Sequence, residues 1–169
     1  STFRLFNVED TLFLLQSEAA ASASVAELKK FGVFSNVDIE QETDVALFAL
    51  AGKSIDTQLS EYFNQLPDAL TPVVHQENSS LLYLSGKTAR YILVSYANQV
   101  PPIVADAAIT QYPAQVWDML EIVNGIPTLQ AANIGEYVPQ MLNVQAINGI
   151  SFTKGCYLGQ ETVARMQYL

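Results

Sequence analysis

Four short apolar runs and one helical period between residues 45 and 94 limit the fold more than any other stretch of this chain. Val45 to Leu50, Val73-Val74, Leu81 to Leu84 and Tyr91 to Val94 are strand-length runs separated by polar turns. After the first run, Ile55, Leu59, Tyr62, Phe63 and Leu66 recur at i, i+4, i+7, i+8 and i+11. That spacing predicts an amphipathic helix over 55–66, which Pro67 stops. Pro101-Pro102 suits the first turn of a second helix leading to Ile103, Val104, Ala107 and Ala108. Short strands alternating with helices that carry a single apolar stripe bury that stripe most economically on a sheet. The expected class is therefore α+β, with helices packed on one face of a mainly antiparallel sheet.

The flanking regions read differently. Phe3, Leu5, Leu12 and Leu14 alternate around Asn7-Val8-Glu9-Asp10, the pattern of a hairpin with a polar turn. Small residues from Ala19 to Ala26 lead through Val25, Leu28 and Phe31 into a helix ended by Gly32. Val116 to Val123 fits strand or helix equally at this length. From Asn124 to Phe152 regular periodicity fades, and Gly125, Pro127, Gly135, Pro139 and Gly149 punctuate the segment. Structured loops of that length in small domains are usually functional. No internal repeat or low-complexity segment interrupts the chain.

Composition removes several classes of function. Half of the 169 residues are apolar, enough for a core in one domain or two small ones. With 8 Lys+Arg against 17 Asp+Glu the net charge is −9, so the mean field repels polyanions and direct nucleic-acid binding is not expected. Lys29-Lys30 is the one adjacent basic pair. No apolar run approaches the roughly 20 residues of a membrane-spanning helix, and no membrane association is expected. A single cysteine excludes an internal disulfide and any zinc site built on several cysteines; no metal centre is expected, and a reducing, cytoplasmic setting is the simplest reading. Gly52-Lys53-Ser54 and Gly86-Lys87-Thr88 mimic the end of a phosphate-binding loop. The glycine required five residues earlier is Leu47 in one and Leu81 in the other, so neither cradle is complete.

Chemistry concentrates at Lys154-Gly155-Cys156-Tyr157-Leu158-Gly159-Gln160-Glu161. A thiol behind a lysine and ahead of a helix start favours the thiolate, the reactive form. The run from Gln160 to Met166 has helix-forming composition with acid early and base late, and Glu161 with Arg165 fits an i, i+4 ion pair. Cys156 is then a nucleophile, a redox-sensitive thiol or a ligand shared with a bound cluster; equally, a lone cysteine is often a small buried hydrophobe. A Cys-His hydrolase is disfavoured, because the one histidine, His75, lies on an expected strand elsewhere. Trp117, the one tryptophan, is either a core residue or a stacking surface for a flat ligand.

The octet, with Tyr137-Val138-Pro139-Gln140, Asn143-Val144-Gln145 and Gly149-Ile150-Ser151-Phe152-Thr153 upstream, resembles the signature of the YgfZ-type folate-binding, tRNA-modification-linked proteins. These are relatives of the glycine-cleavage T-protein, an aminomethyltransferase. The resemblance extends through Trp117 and Gly125-Ile126-Pro127 back to Glu27-Leu28-Lys29-Lys30-Phe31. It implies a T-protein-like arrangement in which residues 1–36 and 116–169 form a discontinuous first domain around an inserted, ferredoxin-like α+β module at 37–115. It also implies that the chain is a fragment, with further sequence before the first strand and a β-barrel domain after the octet.

By the same resemblance the cofactor is tetrahydrofolate or a derivative. Trp117, Tyr157, Gln160, Glu161 and Arg165 are the cofactor-binding residues, and Cys156 and Lys154 supply the reactive edge. The implied role is that of an accessory protein for iron-sulfur enzymes and tRNA methylthiolation, with iron-sulfur proteins as partners. A folate-dependent aminomethyltransferase and an interaction module with a vestigial pocket stand as alternatives. One departure is visible: relatives tend to have Glu-Ala-Gly where this chain has Val123-Asn124-Gly125, which leaves Glu121 as the nearest substitute carboxylate.

Overall fold

The computed structural model describes residues 2–157 and 159–168, so Leu158 of the octet and both terminal residues lie outside the described set. The chain divides into two compact units, one of residues 1–7, 12–41 and 118–169, the other of residues 8–11 and 42–117. With mixed helices and antiparallel pairing, the class is α+β.

The second unit is built on a four-stranded sheet of β3 (Val45–Ala51), β4 (Val73–Gln76), β5 (Ser79–Leu84) and β6 (Arg90–Tyr96), in the order β3-β6-β5-β4. Every pairing is antiparallel, with Leu81 and Phe48 both opposite Leu93 and with Tyr83 and Leu50 both opposite Tyr91. These residues share one sheet face, which packs against Ile55 and Leu59 of α2 (Ile55–Leu59), Phe63, and Ile103 of α3 (Pro102–Ala105). Leu59, Leu81 and Leu93 have no exposed surface. The helices thus cover one face, as the apolar stripe requires.

Two features depart from expectation. The middle module is not ferredoxin-like: that fold places a helix before its last strand. Here β5 and β6 are joined by the five residues from Ser85 to Ala89, too few for a crossover helix, and form a hairpin in an all-antiparallel order. The helix expected over 55–66 is also shorter. Helical hydrogen bonding continues only through Phe63 N–H to the Leu59 carbonyl, because the Gln76 side-chain amide captures the next groups. Its Oε1 accepts from Asn64 N–H at 2.9 Å and its Nε2 donates to the Tyr62 carbonyl at 2.7 Å.

The other sheet face is buried as well, through Leu82, Leu84, Arg90, Ile92 and Val94. Burial on both faces explains why β5 and β6 read as continuous apolar runs instead of alternating ones. Two phenol-carboxylate bonds fasten the covering helices: Tyr91 Oη donates to Asp56 Oδ1 at 3.0 Å, and Tyr62 Oη donates to Asp106 Oδ2 at 2.7 Å.

The first unit holds residues 4–7 of β1 (Arg4–Val8) and residues 12–15 of β2 (Thr11–Leu15), with Phe6 and Phe13 stacked at 5.3 Å. Helix α1 (Glu18–Gly32) follows. The ambiguous segment is helical, forming α4 (Ala114–Val123), of which Asp118 onward belongs to this unit. A glycine signal after the run decides it. Gly125 takes φ +70, and Ile126 N–H donates back to the Glu121 carbonyl at 2.9 Å, closing a Schellman-type end. The long segment beyond carries three 3-10 turns, Ala131–Asn133, Pro139–Leu142 and Val144–Ile147, before α5 (Gln160–Tyr168). Asn143 and Asn148 end the last two turns in the left-handed region, which asparagine tolerates better than most residues.

Leu59→Ala is expected to lower stability by about 2–5 kcal/mol in urea unfolding, the range for emptying a sealed core site. Burial, and then the bond to Asp56, push the Tyr91 phenol from its ordinary 10.0 up to about 12. A raised folded value means stability that is whole below about pH 10 and is lost as pH rises through about 12. Tyr91→Phe should make the alkaline fall of the unfolding midpoint less steep.

Candidate functional site

The long segment has no sheet ladder, so its backbone is held by side chains from the start of the first unit. Thr2 Oγ1 donates to the Pro127 carbonyl at 3.1 Å, and Ser17 Oγ donates to the Leu129 carbonyl at 2.6 Å. Arg4 Nη2 meets Glu121 Oε2 at 2.7 Å, with the glutamate side chain only 5% exposed. Farther along, Gln130 N–H donates to Asn133 Oδ1 at 2.8 Å while Asn133 N–H donates to the Gln130 carbonyl, and Gln140 Nε2 donates to the Val163 carbonyl of α5.

These ties shape a cleft of about 460 Å³ within the first unit. Its walls include Asn133, Tyr137, Ser151, Lys154, Tyr157 and Val163. Lys154 is the one charged side chain among its described lining residues, and no carboxylate faces it there. In a chain of net charge −9 this is a local reversal of sign. Such a volume suits a drug-sized or cofactor-sized molecule, and two phenol rings offer it apolar contact. The octet reaches the cleft through a loop in which Lys154 N–H donates to Ser151 Oγ at 3.2 Å.

The expected site residues separate into groups. Lys154 and Tyr157 lie on the cleft wall. Cys156 is exposed on the same loop, next to Gly155, where an added Cβ would meet nothing within 4 Å. Gly159 takes φ +86 and turns the chain into α5, with Val163 N–H donating to its carbonyl. Gln160 begins α5 and is half-buried, while Glu161 and Arg165 are exposed and paired with each other at 2.6 Å, the i, i+4 bridge anticipated from their spacing. Trp117 belongs to the second unit, half-buried, with the Arg90 guanidinium carbon 5.5 Å from its ring centroid.

Val123, where the resemblance leads one to expect a glutamate, is 61% exposed. Glu121, the nearest carboxylate, is 4% exposed and engaged with Arg4. His75 lies on β4 of the second unit, with Nδ1 2.7 Å from Ser80 Oγ. Among the described residues no three His, Cys, Asp or Glu side chains group as metal ligands. A cluster ligated by Cys156 would therefore draw its remaining ligands from another source.

Sequence reasoning gave no role to Tyr137, Ser151, Asn133 or Gly149, all of which line the cleft. The available signal was the punctuated segment itself. At Gly149 an added Cβ would stand 2.5 Å from Val144 Cγ1 and 3.1 Å from the Val144 carbonyl oxygen, so this glycine is required by close approach.

A two-unit α+β protein with a cofactor-sized cleft that carries one lysine, on the same loop as an exposed cysteine, is the class that this fold and site define. No family model matches the chain. Its sequence is 52% identical over 169 residues to the tRNA-modifying protein YgfZ of Colwellia psychrerythraea, covering 100% of this chain and 52% of that protein. It is 41% identical over 170 residues to the proteins of the same name from Yersinia pestis and Yersinia pseudotuberculosis, covering 99% of this chain and 52% of each. Over its whole length the chain is similar to the YgfZ proteins. It spans about half the length of the curated relatives it matches.

Among the described residues no helix is long and apolar enough to cross a membrane. Arg4→Ala, which leaves the buried Glu121 without this cation, is expected to cost on the order of 1–3 kcal/mol, whereas Arg165→Ala in the exposed pair should cost about 0.5 kcal/mol or less. Paired denaturant titrations check the contrast. Gly149→Ala should destabilise by about 1–3 kcal/mol through forced displacement of Val144, read in the same titrations.

Proposed function

We propose that the whole protein binds tetrahydrofolate or a derivative and acts as an accessory factor in tRNA modification, serving iron-sulfur enzymes such as those that methylthiolate tRNA. The relatives are named tRNA-modifying proteins, which supports the biological setting. One observation carries the ligand class: the cleft combines Tyr137 and Tyr157 with Lys154 and, among its described lining residues, no acid. Folates are flat heteroaromatics with anionic tails. A phenol ring offers stacking surface to the first part and an ammonium offers charge to the second. Asn133 and Ser151 supply neutral hydrogen-bonding groups to fix orientation.

In this reading Lys154 and Tyr157 bind, and Cys156, exposed on the same loop, offers its sulfur to a partner. Gln160, Glu161 and Arg165 shape the helix behind the loop. A cytoplasmic setting goes with the proposed work on tRNA.

Calorimetric titration of the whole protein with tetrahydrofolate is the direct test. Lys154→Ala and Tyr157→Ala are each expected to weaken binding by about tenfold or more, the equivalent of roughly 1.4 kcal/mol. Saturable binding with unchanged affinity in both variants would remove the cleft from the proposal, and no binding by the wild type would remove folate. In cells lacking the protein, Cys156→Ala should fail to restore methylthiolated tRNA while folding normally; full restoration would dismiss the role of the sulfur.

A further inference from the structure

The side chains of the first unit's cleft offer a ligand more hydrogen-bond donors than acceptors. Lys154 brings an ammonium, which only donates, and Tyr137 and Tyr157 bring phenol hydroxyls. Asn133 Oδ1 is taken by Gln130 N–H at 2.8 Å, which fixes the orientation of the amide and leaves Nδ2 as a donor. Ser151 Oγ is likewise taken, by Lys154 N–H at 3.2 Å. Otherwise the described lining side chains accept only through neutral hydroxyl oxygens, and none is a carboxylate.

The two ends of a folate differ in what they ask of such a site. The amino edge of the pterin ring carries the 2-amino group and N3–H, donors that lose binding energy when buried without an acceptor. The aminobenzoyl-glutamate tail carries an amide carbonyl and two carboxylates, which are acceptors. Hydrogen bonds from an ammonium to a carboxylate are stronger than those between neutral groups.

We infer that the cleft selects its ligand by the tail: Lys154, Asn133 and the phenol hydroxyls bind the acceptor-rich aminobenzoyl-glutamate, while the pterin ring is held by apolar contact and its amino edge is not read. The inference rests on the folate reading for the identity of the ligand. It adds which end of that molecule is recognised by hydrogen bonds, and so which analogues the cleft tells apart.

Calorimetric titration of the whole protein with four probes tests this. They are tetrahydrofolate, its 4-amino analogue, the tetrahydropteroyl carboxamide and N-(4-aminobenzoyl)glutamate. The 4-amino group replaces an acceptor and removes the N3 proton, so it inverts the amino edge and leaves the tail intact. The carboxamide keeps the edge and ends in a neutral amide. Inverting the edge should change affinity by less than about threefold, whereas losing the glutamate should weaken binding by about tenfold or more. N-(4-aminobenzoyl)glutamate should displace tetrahydrofolate. In Lys154→Ala, a change on an exposed loop, tetrahydrofolate and the carboxamide should bind alike, and Lys154→Arg should keep the preference for the tail. A tenfold loss on inverting the edge, with or without a tail effect, would overturn the inference, as would equal binding of tetrahydrofolate and the carboxamide by the wild type. Absence of tetrahydrofolate binding by the wild type would defeat the folate reading separately. N-(4-aminobenzoyl)glutamate alone then decides the tail preference: binding that Lys154→Ala abolishes upholds it, and no binding overturns it.

Discussion

The cleft depends on how an irregular stretch of some thirty residues satisfies its own peptide groups. Helices and sheets do this internally, whereas the segment after α4 has only short 3-10 turns. Its position is therefore set by a few donors from elsewhere: Thr2 on Pro127, Ser17 on Leu129, Arg4 on Glu121 at the end of α4, and Gln140 on Val163. Three of these four come from the first 17 residues, so the opening of the chain acts on a segment more than a hundred positions away. The interior glycine does the same work sterically, because only a residue without Cβ lets the chain fold back against Val144.

Charge placement separates scaffolding from recognition. The Arg4-Glu121 pair is largely withdrawn from solvent, where removing one member is costly, and it closes the end of α4. Glu161 and Arg165 are paired at the surface, where the same chemistry contributes little. Lys154 stands apart from both cases: it faces a cavity lined by aromatic, aliphatic and neutral polar groups. In a chain that repels anions on average, a cavity with this single sign is where an anionic small molecule is favoured over a polyanion, which would have to approach the whole surface.

Much of this architecture is legible in the sequence where local signals agree. Gly32 closes α1 at its expected end, the apolar runs become β3 through β6, and the spacing of Glu161 and Arg165 gives the bridge on α5. Reading fails where a distant side chain intervenes. Nothing between residues 55 and 66 announces that Gln76 will take the amide of Asn64 and end the helix early. The covering of the second sheet face and the hairpin order of the middle module are likewise tertiary outcomes. Lys154 and Tyr157 of the octet line the cleft, whereas Tyr137, Asn133 and Ser151 join them only once the 3-10 turns have folded.

The groups expected to act chemically are placed by residues outside their own motif as well as within it. Cys156 and Lys154 sit on a loop whose exit is turned by Gly159 and whose following helix is pinned by Gln140, a residue of the preceding 3-10 turn. Trp117 lies near the middle of α4, and its ring is met by a guanidinium from β6. Displacement of about 1 Å at a binding group can cost far more than loss of a surface contact. The placement of the cysteine loop and of the segment before it therefore resides in Gln140 and Arg4 as much as in the octet, and a chain that retained the octet but lost those supports would keep its side chains without their arrangement.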